Sequence, residues 1–393
     1  MKLSAFLISI VLLASIIVTA VPVRANPGVI KVPEDYSTIQ AAIDAAQDGD
    51  LILVEPGEYA GAIVNKTVDI RGEEGETVIN SGPRLFPAPS VVKYEVGFMF
   101  CDDDPLDAPI CSFFGIFGTG SGSRISGFTF ESDIVTDCSV GNLVFPIFSV
   151  GTDNVVVKNN VIHDAIMGIT NWDGSNWVIK DNDILGSQIM TCPNDFGEVP
   201  QVGGVGIAIT SIWGGPSNGN LIKGNRIIGA PQADFTTPAI ALGSQKGEAG
   251  PEPTGGPVQN NRIVDNYIAW GGPSALGIVL LDGWGDDVVN NKIVNNEVHD
   301  SAGGIAVWGA SSNTFTKNSI QDSQENGIYV NGSGNRFSKN EVIDSGVNGI
   351  FMDVGSIGNY AVANEVSGSG ECDLKDLGTD NVWRANEYET SCP

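Results

Sequence analysis

Three aspartates stand close together past the middle of the chain: Asp282, Asp286 and Asp287. Neighbouring carboxylates repel one another. The repulsion either raises one pKa toward the working range of a general acid or is relieved by a shared Ca²⁺. Two carboxyl groups about 5–10 Å apart are the usual apparatus of glycoside hydrolysis, and a base beside a cation or Arg serves a lyase. A second acidic run, CDDDPLDAPIC at 101–111, offers Asp102, Asp103, Asp104 and Asp107 as oxygen ligands for Ca²⁺. It lacks EF-hand spacing, so a solvated acidic loop is the competing reading. Trp172, Trp213, Trp284 and Trp308 are a further set. An exposed indole covers the apolar face of a sugar ring well, which makes these four the candidate substrate-binding residues.

Composition narrows the partners. The 393 residues carry 20 Lys and Arg against 47 Asp and Glu, a formal net charge of −27. A surface of that sign repels nucleic acid and other polyanions. It suits a protein kept soluble in salt, or one that works with cations such as Ca²⁺. Met1 and Lys2 precede an apolar run from Leu3 to Val21, and Val23-Arg24-Ala25 follows. Residues 1–25 therefore read as a signal peptide, the competing reading being an uncleaved anchor. No second apolar stretch is long enough to span a bilayer. The expected location is extracellular or periplasmic.

The six Cys agree with export and predict disulfides. Cys101 and Cys111 close the acidic loop, Cys372 and Cys392 bracket the C-terminal stretch, and Cys138 and Cys192 are left to pair by default. No C-x-x-C motif points to a metal or redox role.

What positions these residues is a repeat. NTFTKNSIQDS at 313–323 returns as NRFSKNEVIDS at 335–345, 22 residues later. Aligned on the second Asn, the chain gives Asn160, Asn182, Asn225, Asn266, Asn296, Asn318, Asn340 and Asn364. Asn220, Asn261, Asn291, Asn313, Asn335 and Asn359 stand five residues before six of them. An Ile or Val follows each aligned Asn by two, and a mostly Gly-Ile signature recurs at Ile169, Ile207, Ile240, Ile278, Ile305, Ile328 and Ile350. A period near 22 with three short β-type runs means a solenoid. The Leu-x-x-Leu-x-Leu consensus of leucine-rich repeats is absent. A parallel β-helix fits, with successive coils at ~4.8 Å. Equivalent Asn side chains then stack and satisfy one another. Asn as a mere turn former explains one coil but not a register held over eight.

The segment VPEDYSTIQAAIDAAQDGDLILVEPGEYAGAIVNKTVDIRGE, Val32 to Glu73, resembles the opening of right-handed parallel β-helix proteins of the pectin-lyase-like superfamily. The resemblance implies an all-β solenoid with an N-terminal capping helix. Here that helix is expected over Thr38–Gln47, with Ser37 as N-cap and Ile39, Ala42, Ile43 and Ala46 on its apolar face. Residues 26–393 read as one domain: cap and first coils over 26–100, clear repeats over 150–366, a tail over 367–393. The superfamily hosts lyases, hydrolases, esterases, epimerases and non-enzymes, so it speaks to fold more than activity.

In related pectinolytic enzymes the substrate cleft lies over the sheet that carries the Gly-Ile strands, between long loops. Here Asn182 to Ile207 spans 25 residues and Ile240 to Asn261 spans 21, against 9 and 8 in a minimal coil. A groove is therefore expected over residues 160–290. With each Ile inward, alternation turns Thr170, Trp172, Ala208, Thr210, Ala241, Gly243, Val279, Leu281, Ala306 and Trp308 outward. This floor holds no acid, base or cation. The motifs of pectin methylesterases and polygalacturonases are missing too. His163 and His299 are expected to face solvent about four coils, or ~19 Å, apart, too far to share a metal.

The expected protein is a secreted β-helix that binds a polysaccharide or cell-surface glycan without cleaving it. The alternatives are a polysaccharide lyase or glycoside hydrolase with loop-borne acids, and a periplasmic NosD-like accessory protein. Two His and five Met tell against copper handling.

Overall fold

The computed structural model describes residues 27–81, 110–131, 143–191, 201–212, 214–230, 236–244, 255–283 and 287–392. Residues 1–25 of the signal-peptide reading, residues 101–109 of the acidic loop with Cys101, and both Cys138 and Cys192 lie outside these residues. The chain winds as a right-handed parallel β-helix. Each turn contributes one short strand to each of three parallel sheets, of 13, 11 and 12 strands. We call them sheets A, B and C in the order in which the chain visits them.

Local chemistry sets the shape of a coil. Thr314–Thr316 forms a strand of sheet A, Lys317 turns with φ 59°, and Asn318 bends inward. Ser319–Gln321 runs in sheet B, Asp322 turns with φ 54°, and Ile328–Asn331 runs in sheet C. Left-handed single residues are the sharpest corners available to an L-chain, and Asn, Asp and Gly tolerate them best. Asn159, Asp181, Gly224, Asp265 and Asn295 occupy the equivalent corner in earlier coils.

The register is the one the repeat predicts. In sheet C, Ile169 pairs with Ile207, then Ile240, Ile278, Ile305, Ile328 and Ile350. In sheet B, Ile162, Ile184, Ile227, Ile268, Val298, Ile320, Val342 and Val366 form one column. These side chains are buried and line the lumen. Like stacks on like: the Phe315 and Phe337 rings lie 4.6 Å apart and nearly parallel.

Gly in the Gly-Ile signature is a packing requirement. A Cβ at Gly304 would sit 2.3 Å from Cγ2 of Ile320 and 2.5 Å from the carbonyl oxygen of Gly327. The strand of sheet C thus starts where methyls of the next coil's sheet B already fill the lumen.

Asparagines close two of the corners. Nδ2 of each Asn donates to Oδ1 of the next, from Asn160 through Asn182, Asn225, Asn266, Asn296, Asn318, Asn340 and Asn364 to Asn386. A second column runs from Asn220 through Asn261, Asn291, Asn313, Asn335 and Asn359 to Asn381. Each Nδ2 also reaches a backbone carbonyl, as Asn318 reaches Ile293 O at 3.0 Å. Buried amides are thereby satisfied without water. Trp177 stands in the second column one place before Asn220 and donates its backbone N–H to Asn220 Oδ1 at 2.8 Å.

Both ends differ in detail from the sequence expectation. The capping helix spans Ile39–Ala45, and Thr38 rather than Ser37 is its N-cap, because Thr38 Oγ1 accepts the Ala41 N–H. Ile39, Ala42 and Ile43 close the first coil. The stretch read as a tail carries a further coil, with strands Cys372–Asp376, Val382–Arg384 and Ser391–Cys392. Cys372 and Cys392 form a disulfide. Buried Asp373 ties the same segment by accepting the N–H groups of Glu389 and Thr390 at 2.8 and 2.9 Å. No helix among the described residues is long and apolar enough to cross a membrane.

Candidate functional site

The strand register of sheet C fixes what its outer face presents. One outward column reads Phe148, Thr170, Ala208, Ala241, Val279, Ala306, Tyr329, Phe351 and Lys375. Its neighbour reads Val150, Trp172, Thr210, Gly243, Leu281, Trp308 and Asn331. A floor of Ala, Thr, Gly, Val and Leu side chains therefore lies between two aromatic banks.

The banks are unlike. Toward the N-terminal end, Trp172 packs edge-on against Phe148 at 4.9 Å, and Phe148 against Phe145 at 5.5 Å. Trp172 is only 2% exposed. The expectation of an exposed indole is corrected there: an outward residue is not an accessible one when its neighbours, Phe148 among them, pack against it. The floor is buried at Ala208, Thr210, Gly243, Val279 and Ala306 and half-buried at Ala241 and Leu281. Toward the C-terminal end, Trp308, Tyr329, Phe351 and Lys375 are all half-buried. The face opens as it approaches the last coils.

The C-terminal bank is pre-ordered by its own contacts. Ring centroids lie 6.3 Å apart from Trp308 to Tyr329 and 5.7 Å from Tyr329 to Phe351. Lys375 Nζ sits 5.3 Å over the Phe351 ring and 3.3 Å from Glu371 Oε2. Tyr329 OH donates to Asp353 Oδ2 at 2.6 Å. Burial, and then the Asp353 carboxylate, raise the Tyr329 hydroxyl above the usual tyrosine range. At the end of the solenoid a cavity of about 410 Å³ is lined by Leu374, Lys375, Asp376, Trp383 and Tyr388.

The acids fall into turn-making positions. Asp282 is buried, and its Oδ2 accepts the backbone N–H groups of Asp287 and Val288 at 2.9 and 3.2 Å. Asp173 does the same at its own strand end, taking the Ile212 N–H and the Ser211 hydroxyl, both at 3.1 Å. Asp287 lies beside Asp282 through that turn. Asp286, Trp213 and Trp284 lie outside the described residues, as do Asp102, Asp103, Asp104 and Asp107. Among the described residues no group of three or more His, Cys, Asp and Glu is placed to hold a metal ion. His163 and His299 occupy one column of sheet B, four strands apart, with His299 against Tyr267 at 5.4 Å.

Sequence reasoning missed Tyr329, Phe351 and Lys375. The signal was present: Tyr329 and Phe351 stand one place after Ile328 and Ile350, the same offset that named Thr170 and Ala306. What hid it is that these coils have short connections, whereas the expected groove lies over the long ones.

Residues 244–386 match a family model described as a right handed beta helix region. Among solved structures, a mutant of the periplasmic alginate epimerase AlgG is 14% identical, with a TM-score of 0.55, over 93% of this chain and 84% of that one. The catalytic domain of a GH87 alpha-1,3-glucanase in complex with tetrasaccharides is 13% identical, also with a TM-score of 0.55. It covers 94% of this chain, which spans 66% of the glucanase domain. At such identities the likeness is one of fold. No curated protein sequence matches this chain.

Proposed function

We propose that this right-handed parallel β-helix is an exported protein that binds a polysaccharide on the outer face of sheet C and does not cleave it. The observation that carries the reading is the makeup of that face: an uncharged floor of Ala208, Ala241, Gly243, Val279 and Leu281 leading to half-buried Trp308 and Tyr329. Aromatic faces beside such a floor suit sugar rings. The floor strands carry no acid except Asp282 at a strand end, whose Oδ2 accepts two backbone N–H groups. Alginate epimerase and α-1,3-glucanase neighbours on the same fold support a carbohydrate partner by analogy. The Cys372–Cys392 disulfide and the leader-like sequence of residues 1–25 support a place outside the cytoplasm.

A glycan array with the purified chain, beside a released-sugar screen on neutral and uronic-acid glycans with and without Ca²⁺, tests this reading. Binding without release is expected, reduced in Trp308→Ala and retained in His163→Ala. Trp213→Ala and Trp284→Ala test whether the long connections contribute. Robust cleavage would favour instead a lyase or hydrolase using Asp282, Asp286 and Asp287. Single Asn replacements at these three positions then decide whether the acids carry it.

A further inference from the structure

We infer that Trp308, Tyr329 and Phe351 form a stacking track for an extended, uncharged polysaccharide lying along the solenoid axis; the inference rests on sheet C being the sugar-binding face. The three residues come from three successive coils. Strand spacing sets one aromatic every ~4.8 Å along the axis, an advance comparable to that of one sugar unit in an extended chain. Rings already packed on one another lose little freedom when a ligand arrives, which favours binding by pre-organisation.

The shape points to a polymer. From Asn318 to Ile328 is 10 residues and from Ile328 to Asn335 is 7, so no long connection walls off this end of the face. A chain lying over half-buried Trp308, Tyr329 and Phe351 can leave past Lys375. A short oligosaccharide would use only part of such a surface.

The charges point to a neutral one. Lys375 is the cation of this bank, and its ammonium is already answered by Glu371 and the Phe351 ring. Asp353 stands nearby, accepting the Tyr329 hydroxyl, whereas Asp376 shares the inward column of Met352 and accepts the Trp383 indole N–H at 2.7 Å. On the outer face, Lys375 against Glu371 and Asp353 leaves the local sum at +1 − 2 = −1. A polyuronate would meet uncompensated negative charge, whereas sugar hydroxyls can donate to the Asp353 carboxylate beside Tyr329 OH.

The experiment is calorimetric titration of the full chain with short and long cello- and laminari-oligosaccharides and with oligogalacturonate, beside arrays of neutral and acidic glycans. Affinity is expected to rise with length for a neutral glycan. Tyr329→Ala and Phe351→Ala should weaken the long neutral ligands about tenfold and leave the short ones nearly unchanged. Circular dichroism and unfolding confirm that both variants are folded, and Tyr329→Phe isolates the hydroxyl. Preference for oligogalacturonate overturns the neutral assignment. Neutral binding with no dependence on length or on either variant overturns the track while leaving the sugar-binding face standing. Absence of wild-type binding to every glycan on the arrays removes both.

Discussion

The side-chain amide of Asn318 and its backbone N–H both donate to Oδ1 of Asn340, 22 residues on, each at 3.0 Å. One acceptor therefore satisfies two donors of the preceding coil. Asn318 in turn receives both donors of Asn296 on its own Oδ1, at 3.1 and 2.9 Å. Position 318 is a link in both directions.

Asn318→Leu should lower unfolding free energy by roughly 1–3 kcal/mol, because the donors of Asn296 lose a buried acceptor. Urea unfolding of wild type and variant gives the measurement. An unchanged midpoint would mean that the column contributes nothing to stability.

Gly304→Ala should cost about 1–3 kcal/mol by overpacking. The added methyl meets Ile320 Cγ2 at 2.3 Å and the Gly327 carbonyl oxygen at 2.5 Å. Ile320→Ala in the same chain relieves the first clash but not the second. Thermal unfolding of the double variant should thus show less than the sum of the two single losses.

Asp373 should make the last coil acid-labile. Burial pushes its carboxyl up, but the N–H groups of Thr390, Glu389 and Ser369 outweigh that, and the net shift is downward. A lowered folded pKa means that the stabilisation is present above the ordinary carboxylate value of about 3.9 and fades as pH falls through the folded value. Amide exchange at Glu389 and Thr390 should be slow at neutral pH and lose protection below that range. Asp373→Asn should lose protection at neutral pH and flatten the pH dependence. Equal protection in both proteins at neutral pH would assign the anchoring to the disulfide alone.

Removing residues 314–335, one full period of 22, should leave a folded and shorter solenoid in which Asn313 takes the place of Asn335. Removing 21 of them shifts every following side chain off the lumen and should abolish cooperative unfolding. Circular dichroism and thermal melts separate the two outcomes.

Fold and register were readable because they rest on inward positions, where spacing alone decides the partner. Ile169 and Ile207 are matched by the Gly-Ile signature they share, despite the long insertion between Asn182 and Ile207. Accessibility was not readable. Whether Trp172 sees solvent depends on what packs against it, Phe148 among others, and no period encodes that. The last coil was obscured for a related reason. Two places after Asn386 comes exposed Tyr388 rather than Ile or Val, so the pattern fades although the Asn column continues. At the helix start, Ser37 and Thr38 both carry hydroxyls, and geometry chose the one placed three residues before Ala41.

Both Asn columns have a direction. Every link has its carbonyl toward the first coil and its amino group toward the last, from Asn160 to Asn386 and from Asn220 to Asn381. Amide dipoles aligned head to tail add, as they do along a helix, and each hydrogen bond polarises the next. The solenoid thus carries two internal electrical axes of one sign, with their positive ends at the coil that Asp373 and the disulfide close. A defect is then not equally harmful everywhere. Loss of Asn266 divides a long dipole into two short ones, whereas loss of Asn364 only trims its end.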